Sequence, residues 1–316
     1  MSIGVRPALD MPERISVREV GLRDGLQLEA PIATAAKLRL LDALVAMGAE
    51  RIEATAFVSP RAVPALRDAA DVAAALDRYR GVEFSALVAS LGGAGRAIDS
   101  GLVNLEYVVS ASEGHSQANV GRSVQDSMAL VSPIADLVHA VGGTLEVIFA
   151  VAWDCPFDGP TPAARVETLV DRAVVSGADV ICLGDTIGTV TPRRAADLIV
   201  AARCRQPAVP IALHVHNTRG TGLATIFAAM QLGVTMIDSS IGGLGGCPFA
   251  PGASGNVATE ELVYLARDMG VETGIDVELS IRAAQLAQDI IGRPLPSGVL
   301  RAGDRRGFAG SGIVDP

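Results

Sequence analysis

His214 and His216 stand two residues apart in a short β-branched run, a spacing that sends both rings to one side of a strand. An imidazole pair at a strand's end is a ready half-set of ligands for a divalent ion. Asp24 and the amide oxygen of Asn256 supply oxygen donors to complete it. A mixed nitrogen and oxygen set with open positions suits Mg²⁺ or Mn²⁺ in octahedral geometry, with Zn²⁺ and Co²⁺ as further candidates. A lone histidine is more often a hydrogen-bonded core residue, but the paired spacing favours the metal. His115 and His139 carry no such partner and read as a loop polar group and a helix-surface residue.

The second chemical feature is a thiol, Cys247, inside the glycine-rich stretch Gly242–Asn256. Its glycines and two prolines exclude a helix or a central strand, so an irregular loop is expected. A thiol framed by glycines is poorly explained as part of a linker. Among the carboxylates, Glu53 lies between Ile52 and Ala54 in an apolar run and should point inward, where it needs a partner or a metal. Asp24 sits beside Arg23, so an ion pair capping a loop competes with the ligand role. Asp185 precedes Thr186 and fits a turn or helix cap as well as a site role. Cys155, Cys182 and Cys204 read as small buried or surface thiols.

These groups need elements to hold them. Eight strands are predicted, at Ser16–Val20, Arg51–Phe57, Val82–Val88, Asn104–Val109, Thr144–Val151, Asp179–Leu183, Pro210–Val215 and Thr235–Ser239. Helical spacing fills the gaps between them. In Thr34–Met47 the predicted buried stripe is Leu38, Leu41, Leu44 and Val45, and Gly48 is a stop signal. Thr161-Pro162 and Thr191-Pro192 each suggest a threonine cap before a first-turn proline. Ser123 and Asp126 suggest a capping box for a helix that Pro133 should kink or divide. Eight βα units at about thirty-residue spacing predict an α/β fold, a single-domain (β/α)₈ TIM barrel. No early GxGxxG fingerprint favours a dinucleotide fold. The expected boundaries are a lead-in over 1–14, the barrel over 15–293 and a peripheral tail over 294–316 with Arg301, Arg305 and Arg306. In such a barrel the reactive residues belong at the strands' C-terminal ends, where Arg23, Asp24, Asp185, the two histidines and the cysteine loop all fall.

Composition sets the limits. With 49% hydrophobic residues, 3% aromatic and 19% charged over 316 residues, the chain can bury a large aliphatic core. A net charge of −9 argues against nucleic acid or an anionic membrane as partner, though local arginines can still bind an anionic small molecule. No apolar run is long enough to span a bilayer, and the N-terminal residues, with Asp10, Glu13 and Arg14, resemble neither a secretory nor a transit signal. Four scattered cysteines fit a reducing compartment, so a soluble, cytoplasmic protein is expected.

The segment Val17–Gln27, carrying Arg23-Asp24-Gly25, resembles the opening signature of 3-hydroxy-3-methylglutaryl-CoA lyases within the DRE-TIM metallolyase superfamily. Gly243–Asn256 resembles that family's catalytic loop almost residue for residue. Glu53–Pro60, Leu183–Gly188 and Ala258–Tyr264 match in the same order, so the likeness spans roughly residues 15–275. The resemblance implies that Asp24, His214, His216 and Asn256 ligate the metal. It further implies that Arg23 binds substrate and stabilises an enolate, that Cys247 is the acid/base, and that Glu53 and Asp185 support catalysis. The implied reaction cleaves 3-hydroxy-3-methylglutaryl-CoA to acetyl-CoA and acetoacetate, in a homodimer. The chain departs from the pattern at Leu28, Ala30, Asn217 and within Ser110–Asn119, all outside the implied metal set. The acyl group is therefore less closely specified than the reaction type, and a related branched 3-hydroxyacyl-CoA stays open. A Claisen-condensing synthase of the isopropylmalate or homocitrate type would share the Arg-Asp opening and the histidine pair, but not the cysteine loop.

Overall fold

Strand formation follows the β-branched runs. In the computed structural model, which describes residues 10–246 and 255–305, these are β1 (Ser16–Glu19), β2 (Arg51–Phe57), β3 (Glu83–Val88) and β4 (Asn104–Ser110). They continue with β5 (Leu145–Ala150), β6 (Val180–Asp185), β7 (Ile211–Val215) and β8 (Met236–Ser239). Each pairs in parallel with its neighbours, and β8 returns to β1, closing an eight-stranded barrel. Helices cover the outside, so strands such as β5 and β7 are buried on both faces. The principal helices are α1 (Thr34–Ala46), α2 (Ala69–Ala73), α3 (Leu91–Asp99), α4 (Val131–Ala140) and α5 (Ala163–Val175). The ring continues with α6 (Pro192–Arg205), α7 (Gly222–Gln231) and α8 (Thr259–Asp268), and α9 (Val277–Ile291) packs against α1 and α8. Two short helices, Glu113–Val120 and Val124–Met128, and a two-stranded ribbon, Asp154–Cys155 with Gly159–Pro160, elaborate the loops after β4 and β5. No helix among the described residues is long and apolar enough to cross a membrane.

Several local expectations change. The buried face of α1 is Lys37, Leu40, Leu41 and Leu44, with Leu38 and Val45 only partly buried. Lys37 can join that face because its stem packs inward while Nζ bonds Ala65 O and Asp68. Pro162 precedes α5 instead of opening it, and Thr161 Oγ1 donates to Val151 O at 2.7 Å instead of capping the helix. Thr191 does stand before Pro192 at the start of α6, without a side-chain cap bond. Ser123 accepts from Asp126 N, as a capping residue should, but Pro133 lies in the first turn of α4. The helix is divided there, one of the two outcomes expected of Pro133. The segment after α9 is packed against the barrel: Leu295 and Ser297 are buried, and a Cβ on Gly242 would meet Leu295 Cδ1 at 2.3 Å. Arg301 bonds Pro296 O and Arg305 pairs with Asp268, while Arg306 lies outside the described residues.

Candidate active site

After β1 the backbone enters a wide π-helical turn, Gly21–Gly25, whose residues are all buried. That turn brings two consecutive charged side chains, Arg23 and Asp24, to the barrel mouth. Arg23 Nη1 donates to Asp24 Oδ1 at 2.7 Å, and Arg23 Nε lies 2.7 Å from Glu53 Oε2 in a fully buried ion pair. Glu53 points inward as predicted, just before a register shift in the β2–β3 pairing. Gln27 Nε2 also donates to Asp24 Oδ1, at 2.8 Å.

The two histidines converge by a different route from the one expected. His214 is on β7, but the strand ends at Val215, and His216 lies beyond it in an isolated antiparallel bridge with Asn256. Their Nε2 atoms still face each other at 3.2 Å, and His216 Nε2 lies 3.7 Å from Asp24 Oδ2. Two donors bound at right angles to one ion at about 2.1 Å stand about 3 Å apart, so the imidazole spacing fits a shared octahedral cation. Asn256 Nδ2 donates to Asp24 Oδ2 at 2.6 Å and Leu244 O at 3.0 Å. Its Oδ1 is buried with no hydrogen-bond partner, the state of an atom that waits for a cation. Asp24, His214 and His216 form one of two clusters of metal-ligating type among the described residues. The other, Glu146, Cys182 and Asp238, is already bridged by Arg18, whose Nη2 bonds Glu146 and Asp238 at 2.6 and 2.8 Å.

Burial alone would raise the Asp24 carboxyl, but Arg23 and the histidines outweigh it and hold it well below the usual carboxylate range. Burial would likewise lower His214, but its hydrogen bond to the Asp238 carboxylate and the charge of Asp24 raise it instead. For Glu53 burial wins over the pull of Arg23, and its carboxyl is raised. Asp185 ends β6, and its carboxylate accepts Thr189 N at 3.0 Å and Val190 N at 2.9 Å, stapling the turn that begins at Thr186. His115 is a buried helical residue, not a loop residue: Nδ1 meets Ser110 Oγ at 2.7 Å, and burial lowers it to about 4. His139 lies half-exposed in the last turn of α4 and pairs with Asp179 at 2.9 Å.

A cavity of about 1160 Å³ joins these groups, lined by Arg23, Asp24, His214, His216 and Gly246 and reaching Arg96 and Arg122. Cys247 lies outside the described residues, although its neighbour Gly246 lines that cavity. The two ends of the loop meet. A Cβ on Gly255 would come within 2.6 Å of Gly243 O and 2.7 Å of Gly245 N. Asn217 N donates to Gly255 O at 3.0 Å, tying that neck to the end of β7. Gly245 is still more constrained, at φ +124°, where a Cβ would stand 2.5 Å from Asn256 Nδ2 and 3.1 Å from Asp24 Oδ2. Gly245→Ala is therefore expected to weaken divalent-ion binding by at least about tenfold, measured by titration of the purified protein with Mn²⁺.

Below the neck, Glu19 accepts Gly21 N at 2.8 Å, Ile241 N at 2.9 Å and the Thr259 hydroxyl, and Glu260 accepts Gly242 N at 3.0 Å. Burial raises Glu19 and Glu260 to about 7, and Glu106 to about 8. These folded values lie above those of the unfolded chain, so the folded state holds more protons between pH 4.5 and 8. Stability is then full below the unfolded values and is lost as pH rises through 7 to 8. The metal-free protein is expected to melt on the order of 5 °C lower at pH 8.5 than at pH 5.5, checked by calorimetry. The lowered values of Asp24 and Asp238 act only below pH 4, outside that window, and the lowered His115, which costs stability as pH falls below 6.5, offsets only part of what the three carboxyls contribute.

The HMGL-like family profile matches residues 14–287. The chain belongs to the HMGL-like family. Among relatives of this HMGL-like protein, a hydroxymethylglutaryl-CoA lyase of Bacillus subtilis is 39% identical over 287 residues, covering 90% of this chain and 96% of that one. An (R)-citramalyl-CoA lyase of Chloroflexus aurantiacus is also 39% identical, over 305 residues, covering 92% and 95%. The structure of an HMG-CoA lyase of Acinetobacter baumannii in complex with coenzyme A and 3-methylmalate superposes with a TM-score of 0.88. That protein is 34% identical, and the match covers 96% of this HMGL-like chain and 98% of the other.

Sequence reasoning passed over Asp238, which bonds His214 Nδ1 at 3.0 Å. The same signal that picked Glu53 was present there: an acid in an apolar strand, Met236-Ile237-Asp238-Ser239. Gln27 lies at the end of the Val17–Gln27 resemblance, but nothing in its own surroundings in the sequence pointed to its bond with Asp24.

Proposed function

We propose that this protein is a divalent-metal-dependent carbon–carbon lyase that cleaves 3-hydroxy-3-methylglutaryl-CoA to acetyl-CoA and acetoacetate. The observation that carries it is the convergence of Asp24, His214, His216 and the unpartnered Asn256 Oδ1 beside Arg23, at one cavity. Asp24, His214, His216 and Asn256 would hold the ion, with Mg²⁺ or Mn²⁺ suited to the mixed donors. A bound ion of this kind supplies Lewis acidity toward the oxygens of a 3-hydroxyacyl thioester.

The chain's own residues do the rest. The C3 hydroxyl gives its proton to a base in the cavity and becomes the ketone C=O of acetoacetate as the C2–C3 bond breaks. The bond's electron pair becomes the enolate of the acetyl thioester, and the proton taken up then restores the thiol spent on C2. Arg23 binds the thioester end and opposes the enolate's charge from a fixed, buried position. Glu53 and Asp24 hold the guanidinium in place. Cys247, a thiol with an ordinary pKa of about 8.5, delivers the proton to C2. Asp185 keeps the Gly184–Thr186 wall of the cavity in shape. The arginines at the outer end, Arg96 and Arg122, fit an anionic acyl-CoA despite the net charge of −9. The same reading includes a homodimer in the cytoplasm, the first checked by sedimentation.

A second reading rests on the citramalyl-CoA lyase relative, whose identity equals that of the hydroxymethylglutaryl-CoA lyase. Both substrates release an acetyl thioester or a close analogue and differ around C3. Purified protein with Mg²⁺ should therefore be given a panel of 3-hydroxyacyl-CoA esters varied at C3. Acetoacetate from the hydroxymethylglutaryl ester supports the proposal. Turnover of the citramalyl ester alone transfers it to the second reading, and no cleavage of any member removes the lyase. Free CoA released from acetyl-CoA plus a 2-oxoacid would identify a Claisen synthase instead.

A further inference from the structure

The barrel interior beneath the site is charged where such barrels are usually filled by aliphatic layers. Arg18, on β1, spans it. Its Nε and Nη2 each donate to Asp238 at 2.8 Å, Nη1 donates to Glu106 at 2.7 Å, and Nη2 reaches Glu146 at 2.6 Å. One guanidinium thus grips β8, β4 and β5 at once, and all four side chains are buried. Asp238 faces Arg18 directly in the β1–β8 register. Its carboxylate is held by two parallel N–H bonds, the arrangement that leaves least rotation. The oxygen Oδ2 has a second partner, His214 Nδ1, at 3.0 Å.

We propose that Asp238, locked by Arg18, is a positioning residue that sets the tautomer of His214 for the divalent ion. An ionised carboxylate only accepts, so the His214 proton sits on Nδ1 and the lone pair on Nε2. That lone pair points to the place where His216 Nε2 and Asp24 also converge. His216 is not held this way: its Nδ1 is buried without a hydrogen-bond partner. His214 is therefore the preset member of the pair, and His216 is free to settle on the ion. The inference rests on the metal reading above and is independent of which acyl-CoA is cleaved. A buried ion cluster that merely filled the barrel would affect stability and leave metal affinity and ring protonation alone.

Two measurements decide it, neither involving substrate. The first is Mn²⁺ titration of the wild type and Asp238→Asn, followed by the electron paramagnetic resonance of free Mn²⁺. The variant should bind about 10–100-fold more weakly, the range for removing a partner of a ligating histidine. Affinity within twofold of wild type overturns the inference and leaves the metal reading intact. No Mn²⁺ binding by the wild type overturns both. The second is ring ¹⁵N resonance of the metal-free wild type, taken at a pH where the ring is neutral and tractable because the chain has only 4 histidines. It should show His214 protonated at Nδ1 and not at Nε2, whether or not the variant folds. A proton on Nε2 overturns the inference.

Discussion

Replacing His214 with alanine is expected to yield a folded protein that retains no divalent ion after purification, with turnover down by at least about 10³-fold. The imidazole is buried, bonds Asp238 from behind and would present its other nitrogen to the ion. Without it, His216 and Asp24 remain 3.7 Å apart with one side of the cluster open. Loss of the ion removes several kcal/mol of charge stabilisation from the cleavage step, and each 1.36 kcal/mol is a factor of ten. Elemental analysis of the variant beside the wild type checks the first part, and acetoacetate release the second. A variant that keeps a full equivalent of metal would show that His214 is not a ligand.

The second large effect belongs to Cys247. Cys247→Ser changes one atom, and serine's hydroxyl is a far weaker acid than a thiol. Metal content and substrate affinity should stay as they are, while kcat falls by about 10²–10⁴, the usual contribution of a placed acid or base. Near-normal turnover would take Cys247 out of the mechanism. The pairing of the two variants is informative: one loses the ion and with it catalysis, the other loses catalysis with the ion in place.

Much of this was legible in the residues, for reasons that can be named. The β-branched runs place every barrel strand to within two residues, because most positions of a parallel strand covered on both faces are apolar, even in this barrel with its buried Arg18, Glu53, Glu106, Glu146 and Asp238. The inward turn of Glu53 followed from alternation along β2. The histidine pair was found by spacing, although only His214 lies on the strand and the bridge to Asn256 aligns His216. What sequence could not show were contacts between distant segments. Arg18 and Asp238 are 220 residues apart, and nothing local says that they meet. Lys37 was not among the residues expected on the buried face of α1, because its partners, Ala65 and Asp68, lie in a distant segment. His115 looked like a loop residue because the short helix Glu113–Val120 has no apolar stripe to reveal it.

The meeting of Gly243 and Gly245 with Gly255 has a further consequence for how this chain can vary. Where both ends of an excursion are held together by the barrel itself, the length of chain between them hardly affects closure. Doubling residues 247–254 would cost only about 0.6 kcal/mol of closure entropy. The excursion is in effect a cassette plugged into a fixed socket. Provided Cys247 is kept, a change of length between Gly246 and Gly255 leaves the neck, and with it the register of the barrel strands, where it is.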